Sequence, residues 1–321
     1  LEGEVVVQDV VHGDVVFKNS ELDDLIIARS DGTPTYNFCV VVDDMDMKIT
    51  HVIRGDDHLN NTPRQMNMLI ALQSRPPAYA HLPMILGSDG AKLSKRHGAV
   101  SVLQYRDEGF LPEALLNYLV RLGWSHGDQE IFSIQEMVQL FDIADVNKSA
   151  SAFNGEKLAW LNQQHIAHAQ PSRLVGPLRW QLSKLGIDAA ADDMLERIVL
   201  AQRERAKTVK EMATNSVFFF KAPAAYDDKA VGKHVSAPIV AALDELAAKL
   251  KLMPGWSAPE IHALINSFAL ERGLSLGKLA QPIRLAVSGG TVSPPIDVTL
   301  AILGREAALT RIASACDAWR S

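Results

Sequence analysis

Thr50-His51-Val52-Ile53-Arg54-Gly55-Asp56-Asp57-His58-Leu59-Asn60-Asn61-Thr62-Pro63 reads as a β-strand that runs into a polar turn and then into a helix. Ile49 to Ile53 supplies the apolar strand. Thr62 suits a helix cap and Pro63 the first turn, where a missing N–H costs nothing. The helix should run to about Gln73 and stop before Pro76-Pro77. Working outward, Asp14 to Phe17, Leu25 to Arg29 and Thr35 to Val42 are further strand-like stretches. They are rich in Val, Ile, Phe and Tyr and bounded by Asp-Gly or Asp-Asp. Leu82 to Leu86 reads as an edge strand because Pro83 lies within it. The first third is therefore mixed α/β. Beyond residue 105 the strand signals fade. Helices are expected over Pro112 to Leu122, after the capping box Ser133-Ile134-Gln135-Glu136, and over Glu156 to Ala169 and Met194 to Ala213. Ala237 to Leu252, a second capping box at Ser257-Ala258-Pro259-Glu260, Leu276 to Val287, Ile296 to Leu303 and Arg305 to Trp319 continue the series.

The chain has 321 residues, which suggests two or three domains, and it is 47% hydrophobic and 22% charged, the balance of a globular protein with real cores. The longest apolar runs, such as Phe38 to Val42, are too short to span a membrane. No targeting leader is expected. The opening Leu-Glu-Gly-Glu, without an initiator Met, reads as the start of a fragment or processed product. Cys39 and Cys316 lack paired spacing, so neither a disulfide framework nor a zinc site is expected, and a reducing cytoplasm fits. Net charge is −6, yet basic residues cluster at Lys92, Lys95 and Arg96 and at Arg203, Arg205, Lys207 and Lys210.

The strongest local chemistry lies in Gly87-Ser88-Asp89-Gly90-Ala91-Lys92-Leu93-Ser94-Lys95-Arg96-His97-Gly98. Glycine lets backbone approach a ligand closely, and lysines with a hydroxyl suit a polyphosphate. The same composition also suits a solvated basic turn. Arg54 follows an apolar strand, where a guanidinium can grip a carboxylate through two parallel bonds or form an ordinary salt bridge.

Three segments together point to a family. Lys92-Leu93-Ser94-Lys95-Arg96 resembles the second signature of class I aminoacyl-tRNA synthetases. Arg29-Ser30-Asp31-Gly32-Thr33-Pro34-Thr35-Tyr36-Asn37-Phe38 and Thr50 to Pro63 resemble the glutamyl/glutaminyl subgroup, and Ala280-Gln281-Pro282-Ile283-Arg284 continues the likeness. Helices throughout 172–321, where glutaminyl enzymes carry β-barrels, make this similar to the bacterial glutamyl-tRNA synthetases. A short tRNA-base-modifying relative has no such region. The resemblance implies a multidomain fold: a tail of the acceptor-end-binding insertion over 1–22, the C-terminal half of the α/β nucleotide-binding domain over 23–105, a helical stem-contact domain over 106–171, and an all-α anticodon-binding region over 172–321 with a boundary near 230.

It implies ATP-dependent attachment of glutamate to tRNA(Glu), with tRNA(Gln) as a second acceptor to consider, by a cytoplasmic monomer. Lys95 and Lys92 would act on the phosphates. Ser94, Arg96, His58 and Asp57 would help bind ATP, which brings Mg2+ with it. Tyr36 and Arg54 would bind glutamate, Arg54 reading its side-chain carboxylate. Arg203, Arg205, Lys207, Lys210 and Arg284, with Gln281 beside it, would meet tRNA. A core position is the other reading for Tyr36, a packed or capping role suits His58 as well, and a solvated face is the ordinary reading for each single residue of the basic helix. No His-x-Gly-His pattern, the first class I signature, occurs among the ten histidines. The isolated chain is thus expected to be inactive. The alternative is a separate non-catalytic tRNA-binding fragment.

Overall fold

The computed structural model describes residues 2–93, 101–189 and 191–320, which gather into two compact units, Leu1–Ser101 with Pro112–Leu161 and Val102–Leu111 with Asn162–Ser321.

In the first unit β1 (Glu4–Asp9) and β2 (Gly13–Lys18) form an antiparallel hairpin, followed by α1 (Tyr36–Asp46), β3 (His51–Gly55), α2 (Thr62–Ala71), β4 (Ala78–Leu82) and the two-residue β5 (Ile85–Leu86). The order in the sheet is β2-β1-β4-β3, and β4 runs parallel to both β1 and β3. Side chains alternate across a strand, and in β1 this buries Val5, Val7 and Asp9 on one face. Asp9 is thus a carboxylate at the end of an apolar stripe. The pairing of β3 with β4 sets Arg54 opposite His81, and β1 meets β4 at Asp9 and Tyr79. The expected edge strand Leu82 to Leu86 is split: Pro83, which has no N–H to donate, lies between β4, an interior strand, and β5, which belongs to a second sheet.

Two expected strands are not strands. Thr35 to Val42 lies almost wholly in α1, which starts where the Thr35 hydroxyl donates to the Ile26 carbonyl (2.7 Å) and its N–H to that of Ile27 (2.9 Å). The β-branched run Val40-Val41-Val42 suggested a strand, but β propensity is largely context, and here the context is a helix packed on α2. Asp43 and Asp44 consequently lie inside α1 rather than ending a strand. Leu25 to Arg29 is an extended arm that pairs through a lone bridge from Ala28 to Pro34.

Past α3 (Val102–Asp107), which belongs to the second unit, the first unit is completed by α4 (Pro112–Gly123), α5 (Ile134–Leu140) and β6 (Ser151–Ala152), which pairs in parallel with β5. Ser133 and Glu136 form the capping box that begins α5. Trp124 and Phe132 fill the core beneath.

Next come α6 (Gly155–His168), α7 (Pro171–Lys184), α8 (Asp192–Gln202), α9 (Val209–Thr214), α10 (Val217–Phe220), α11 (Asp228–His234), α12 (Ala237–Lys251), α13 (Ala258–Glu271), α14 (Leu276–Ser288), α15 (Ile296–Leu303) and α16 (Arg305–Arg320). Leu243, Leu246, Ile265, Phe268 and Ile312 centre one apolar core of this region. Each such side chain contributes about 1.5–3 kcal/mol by leaving water. Ser257 and Glu260 cap α13 reciprocally. Trp256 and Trp319 pack against this core, whereas Trp160 is partly exposed beneath the Lys157 ammonium.

The expected helix Met194 to Ala213 is broken. The Thr208 hydroxyl accepts the Glu211 N–H (3.1 Å), and the Glu211 carboxylate reaches back to the Lys207 N–H (2.7 Å), which starts a new helix at Val209. Ahead of that break Gly109, at φ +84°, accepts the Val209 N–H on its carbonyl (2.9 Å). Buried Asn162 ties the same place together by accepting from Leu111 N–H (2.8 Å) and donating to the Lys207 carbonyl (2.6 Å).

Candidate functional site

The polar residues at the carboxyl end of β3 are set by strand register. Arg54 is half-buried. It donates from Nε to Nε2 of His81 (3.1 Å) and from one terminal nitrogen to the Thr62 hydroxyl (2.8 Å), with a longer contact to the His58 carbonyl (3.5 Å). Its guanidinium carbon lies 5.7 Å from the centre of the Tyr79 ring. Among the described residues its other terminal nitrogen makes no hydrogen bond, and no carboxylate forms an ion pair with it. A cation with one open prong at a strand end can receive a planar anion bidentately.

His81 and Asp9 stand behind it. The Asp9 carboxylate is 2.6 Å from Nδ1 of His81 and accepts the His81 N–H (3.0 Å) through the same oxygen; its other oxygen accepts the N–H groups of Val11 (3.0 Å) and His12 (2.9 Å). Because Nε2 of His81 accepts from Arg54, Nδ1 carries the proton and donates to Asp9. Burial pushes the Asp9 carboxyl up, but the N–H of His12 and the bonds from His81 and Val11 outweigh it and hold the group below its ordinary value. Burial drives His81 the other way, below the ordinary histidine value, against the pull of Asp9. Burial also lifts Tyr79 to about 12 and raises Asp44, the latter opposed by Arg54.

On the open side, the Tyr36 ring lies 6.0 Å from that of His58, which is also held by Asn61 (3.2 Å). Tyr36 is exposed and opens α1, so the sequence reading that set it in a strand is corrected without removing it from this surface. Lys92 donates to Asp57 (2.9 Å), and this bond holds the Asp57 carboxyl below its usual range. Lys92 is carried on a reverse turn. Gly87 donates to the Ala91 carbonyl (2.8 Å), Leu93 to that of Ile85 (2.9 Å), and Asp89 accepts the Ala91 N–H (3.0 Å). Tyr36, Arg54, Asp57, His58 and Lys92 thus share one unit, linked by contacts in two groups: Tyr36 with His58 and Arg54, and Asp57 with Lys92. Ser94, Lys95 and Arg96 lie outside the described residues. Sequence reasoning gives no site role to the buried polar side chains of Asp9 and His81 and reads Thr62 only as a helix cap; a carboxylate closing an apolar stripe is the available signal.

The basic residues of the second unit are dispersed. Arg203, Arg205 and Lys207 lie in the segment between α8 and α9 and only Lys210 is helical, which corrects their placement on one long helix. Arg203 pairs with Glu204 (3.7 Å) and Lys210 with Glu108 (2.8 Å). Arg284, on α14, donates to the Ser293 hydroxyl (2.8 Å); burial and then the nearby charge of Arg205 lower its pKa. Arg205 and Ser293 line a cavity of about 1020 Å³.

Residues 1–160 match the family described as tRNA synthetases class I (E and Q), catalytic domain, and residues 164–316 match an anticodon binding domain. Glutamate–tRNA ligase 1 of Alkalilimnicola ehrlichii is 62% identical over 317 residues, which cover 99% of this chain and 67% of that protein. The chain belongs to the glutamate–tRNA ligase family. Family members from Nitrosococcus oceani (58% identical, 97% of this chain and 66% of that protein) and Halorhodospira halophila (57%, 99% and 67%) are similarly close. The chain spans about two thirds of the length of these ligases. A crystal structure of a glutamate tRNA ligase from Elizabethkingia meningosepticum in complex with its amino acid superposes with a TM-score of 0.84 at 32% identity, covering 99% of this chain and 66% of that one. In this chain a class I catalytic domain is followed by an anticodon binding domain, and the latter is built of helices. Among the described residues no helix is long and apolar enough to cross a membrane, and no three His, Cys, Asp or Glu side chains gather as a metal site.

Proposed function

We propose that the full-length gene product containing these 321 residues attaches glutamate to tRNA through glutamyl-adenylate. The observation that carries this reading is the half-buried Arg54 guanidinium, tethered on neutral partners and in no ion pair with a described carboxylate, beside Tyr36 and His58. Arg54 binds the side-chain carboxylate of glutamate and Tyr36 lines the same pocket. The α-carboxylate then attacks the α-phosphorus of ATP. A P–O bond forms, the bond to the β-phosphate oxygen breaks, and pyrophosphate leaves. The terminal ribose hydroxyl of tRNA next attacks the carbonyl of the mixed anhydride, releasing AMP. Both nucleophiles come from substrates, so the protein's task is to position them and to stabilise charge that grows on phosphate oxygens.

Lys92 leaves Asp57 for the phosphates, assisted by Lys95, Ser94 and Arg96, while His58 and Asp57 border the nucleoside. Mg2+ enters with ATP. In the second unit Arg203, Arg205, Lys207, Lys210 and Arg284 meet the tRNA. The 321 residues alone do not form the adenylate, since no His-x-Gly-His pattern is present in them. Aminoacylation of purified tRNA(Glu) and tRNA(Gln) by the cytoplasmic full-length product tests the reading. Charging of tRNA(Glu) with glutamate is expected. Binding of tRNA without any charging would replace this reading with that of a non-catalytic tRNA-binding protein.

A further inference from the structure

The side chains of Asp9, His81 and Arg54 form a line across three neighbouring strands, β1, β4 and β3, with Thr62 from α2 closing the far end. His81 and Asp9 are fully buried and neither reaches the open face of the site. We infer that Asp9 and His81 are positioning residues for glutamate selection, holding the Arg54 guanidinium in one orientation through a neutral imidazole. The inference rests on the reading of Arg54 given above.

An arginine side chain has about 2 kcal/mol of rotamer freedom, and a bidentate grip demands one plane and one direction. A direct aspartate partner would fix that plane, but it would also occupy the fork and cancel the charge that the substrate must meet. Interposing His81 separates the two requirements. The Asp9 carboxylate accepts the Nδ1 proton, which obliges Nε2 to present its lone pair to Arg54 Nε. The guanidinium is then held by an uncharged acceptor on its Nε edge and by the Thr62 hydroxyl on one prong, and its positive charge is left for the ligand. Asp9 itself is immobilised by the backbone N–H groups of Val11 and His12 at the β1–β2 turn, so the line starts from a fixed point. The depressed titration of His81 agrees with a ring that stays neutral in this setting.

The test is aminoacylation kinetics with the full-length product and four substitutions at these positions, beside Val7→Ala as a packing control from the same buried face of β1. His81→Asn keeps a donor toward Asp9 and leaves Arg54 Nε without an acceptor. His81→Gln places an amide oxygen near the Nε2 position and keeps that acceptor. We expect His81→Asn and Asp9→Asn to raise the glutamate KM by about tenfold or more, the size of one hydrogen bond to a charged group. The ATP KM should change less than about twofold, and selection against glutamine should weaken in parallel. His81→Gln should recover most of the loss. Val7→Ala should lower the melting temperature without moving the glutamate KM.

Equal KM effects from both His81 substitutions, or a matching effect from Val7→Ala, would reduce the pair to ordinary packing and overturn the inference. Should His81→Asn fail to fold, Asp9→Asn decides alone, with the same expected rise and the same overturning result. Arg54→Lys separates the two levels. If it leaves the glutamate KM unchanged, the reading of Arg54 itself is wrong. If it raises the KM while His81→Asn and Asp9→Asn do not, only the positioning role is wrong.

Discussion

Gly109→Ala should unfold the second unit far more readily than the addition of one methyl group suggests. Gly109 has φ +84°, where any L side chain costs about 1–2 kcal/mol. A methyl group there would also run into the Lys210 amide nitrogen and come within 2.9 Å of Lys210 Cβ and 3.0 Å of the Val209 nitrogen. The two nitrogens are backbone atoms at the start of α9 and cannot swing aside. Relief requires the two segments to part, which breaks the bond from Val209 N–H to the Gly109 carbonyl, and an unpaired buried backbone group costs about 1–3 kcal/mol. The total is about 2–5 kcal/mol. At about 2–4 °C per kcal/mol for a unit of this size, the melting transition should fall by roughly 4–20 °C. Gly186→Ala is the matched control. Its φ is +67° and nothing lies within 4 Å of the new carbon, so only the backbone term of about 1–2 kcal/mol applies. Circular-dichroism melts of the two variants and the parent make the comparison. Equal shifts for both would show that contact with α9 contributes nothing and would refute the reasoning.

Lys92→Ala removes an exposed ion pair worth about 0–1 kcal/mol, so melting should move by under about 2 °C while kcat/KM for aminoacylation falls at least about tenfold; unchanged kinetics would contradict the phosphate role. In the C-terminal core, Phe268→Ala should cost about 3–5 kcal/mol in urea titrations, against about 0.5 kcal/mol or less for Leu252→Ala, whose side chain is 83% exposed. The lowered pKa of His81 fixes a sign for pH. Below about 6.5 the unfolded chain binds a proton that the folded chain refuses, so the group's contribution is complete above that pH and is lost as pH falls through the folded value. Stability should therefore decline between about pH 7 and 5, and decline less steeply in His81→Gln; identical slopes would show that His81 takes no part.

The helical boundaries were readable where the cue is local. Pro63 lies in the first turn of α2 as expected, whereas Thr62 is not its cap but sits inside the helix with its hydroxyl on Arg54 and His81; the Ser133–Glu136 and Ser257–Glu260 boxes begin their helices. The same kind of cue, Thr208-Val209-Lys210-Glu211, lies hidden inside a charged stretch whose pattern reads as continuously helical, and that pattern places the tRNA candidates on one helix. Aromatic and β-branched neighbours favour a strand at Tyr36, whereas the decisive bonds run from Thr35 to carbonyls of an arm eight and nine residues earlier. Asp9 and His81 are separated by 72 positions, and neither carries a local mark of the other. Only the sheet order that brings β1 beside β4 makes their meeting visible, and no periodicity in the sequence encodes that order.

The facing of Arg54 and His81 across β3 and β4 makes the sheet an indexing device. Deleting one residue from β3 would rotate every later side chain in it to the opposite face, bringing Gly55 or an aliphatic neighbour to the place of the guanidinium. The link between the same strands, through α2 and Pro76-Pro77, faces no such rule, since lengthening a connection costs free energy that grows only slowly with its length. Length variation in this region is therefore tolerable between the strands and destructive within them, and amino-acid choice would be lost through a frame slip before the fold itself gave way.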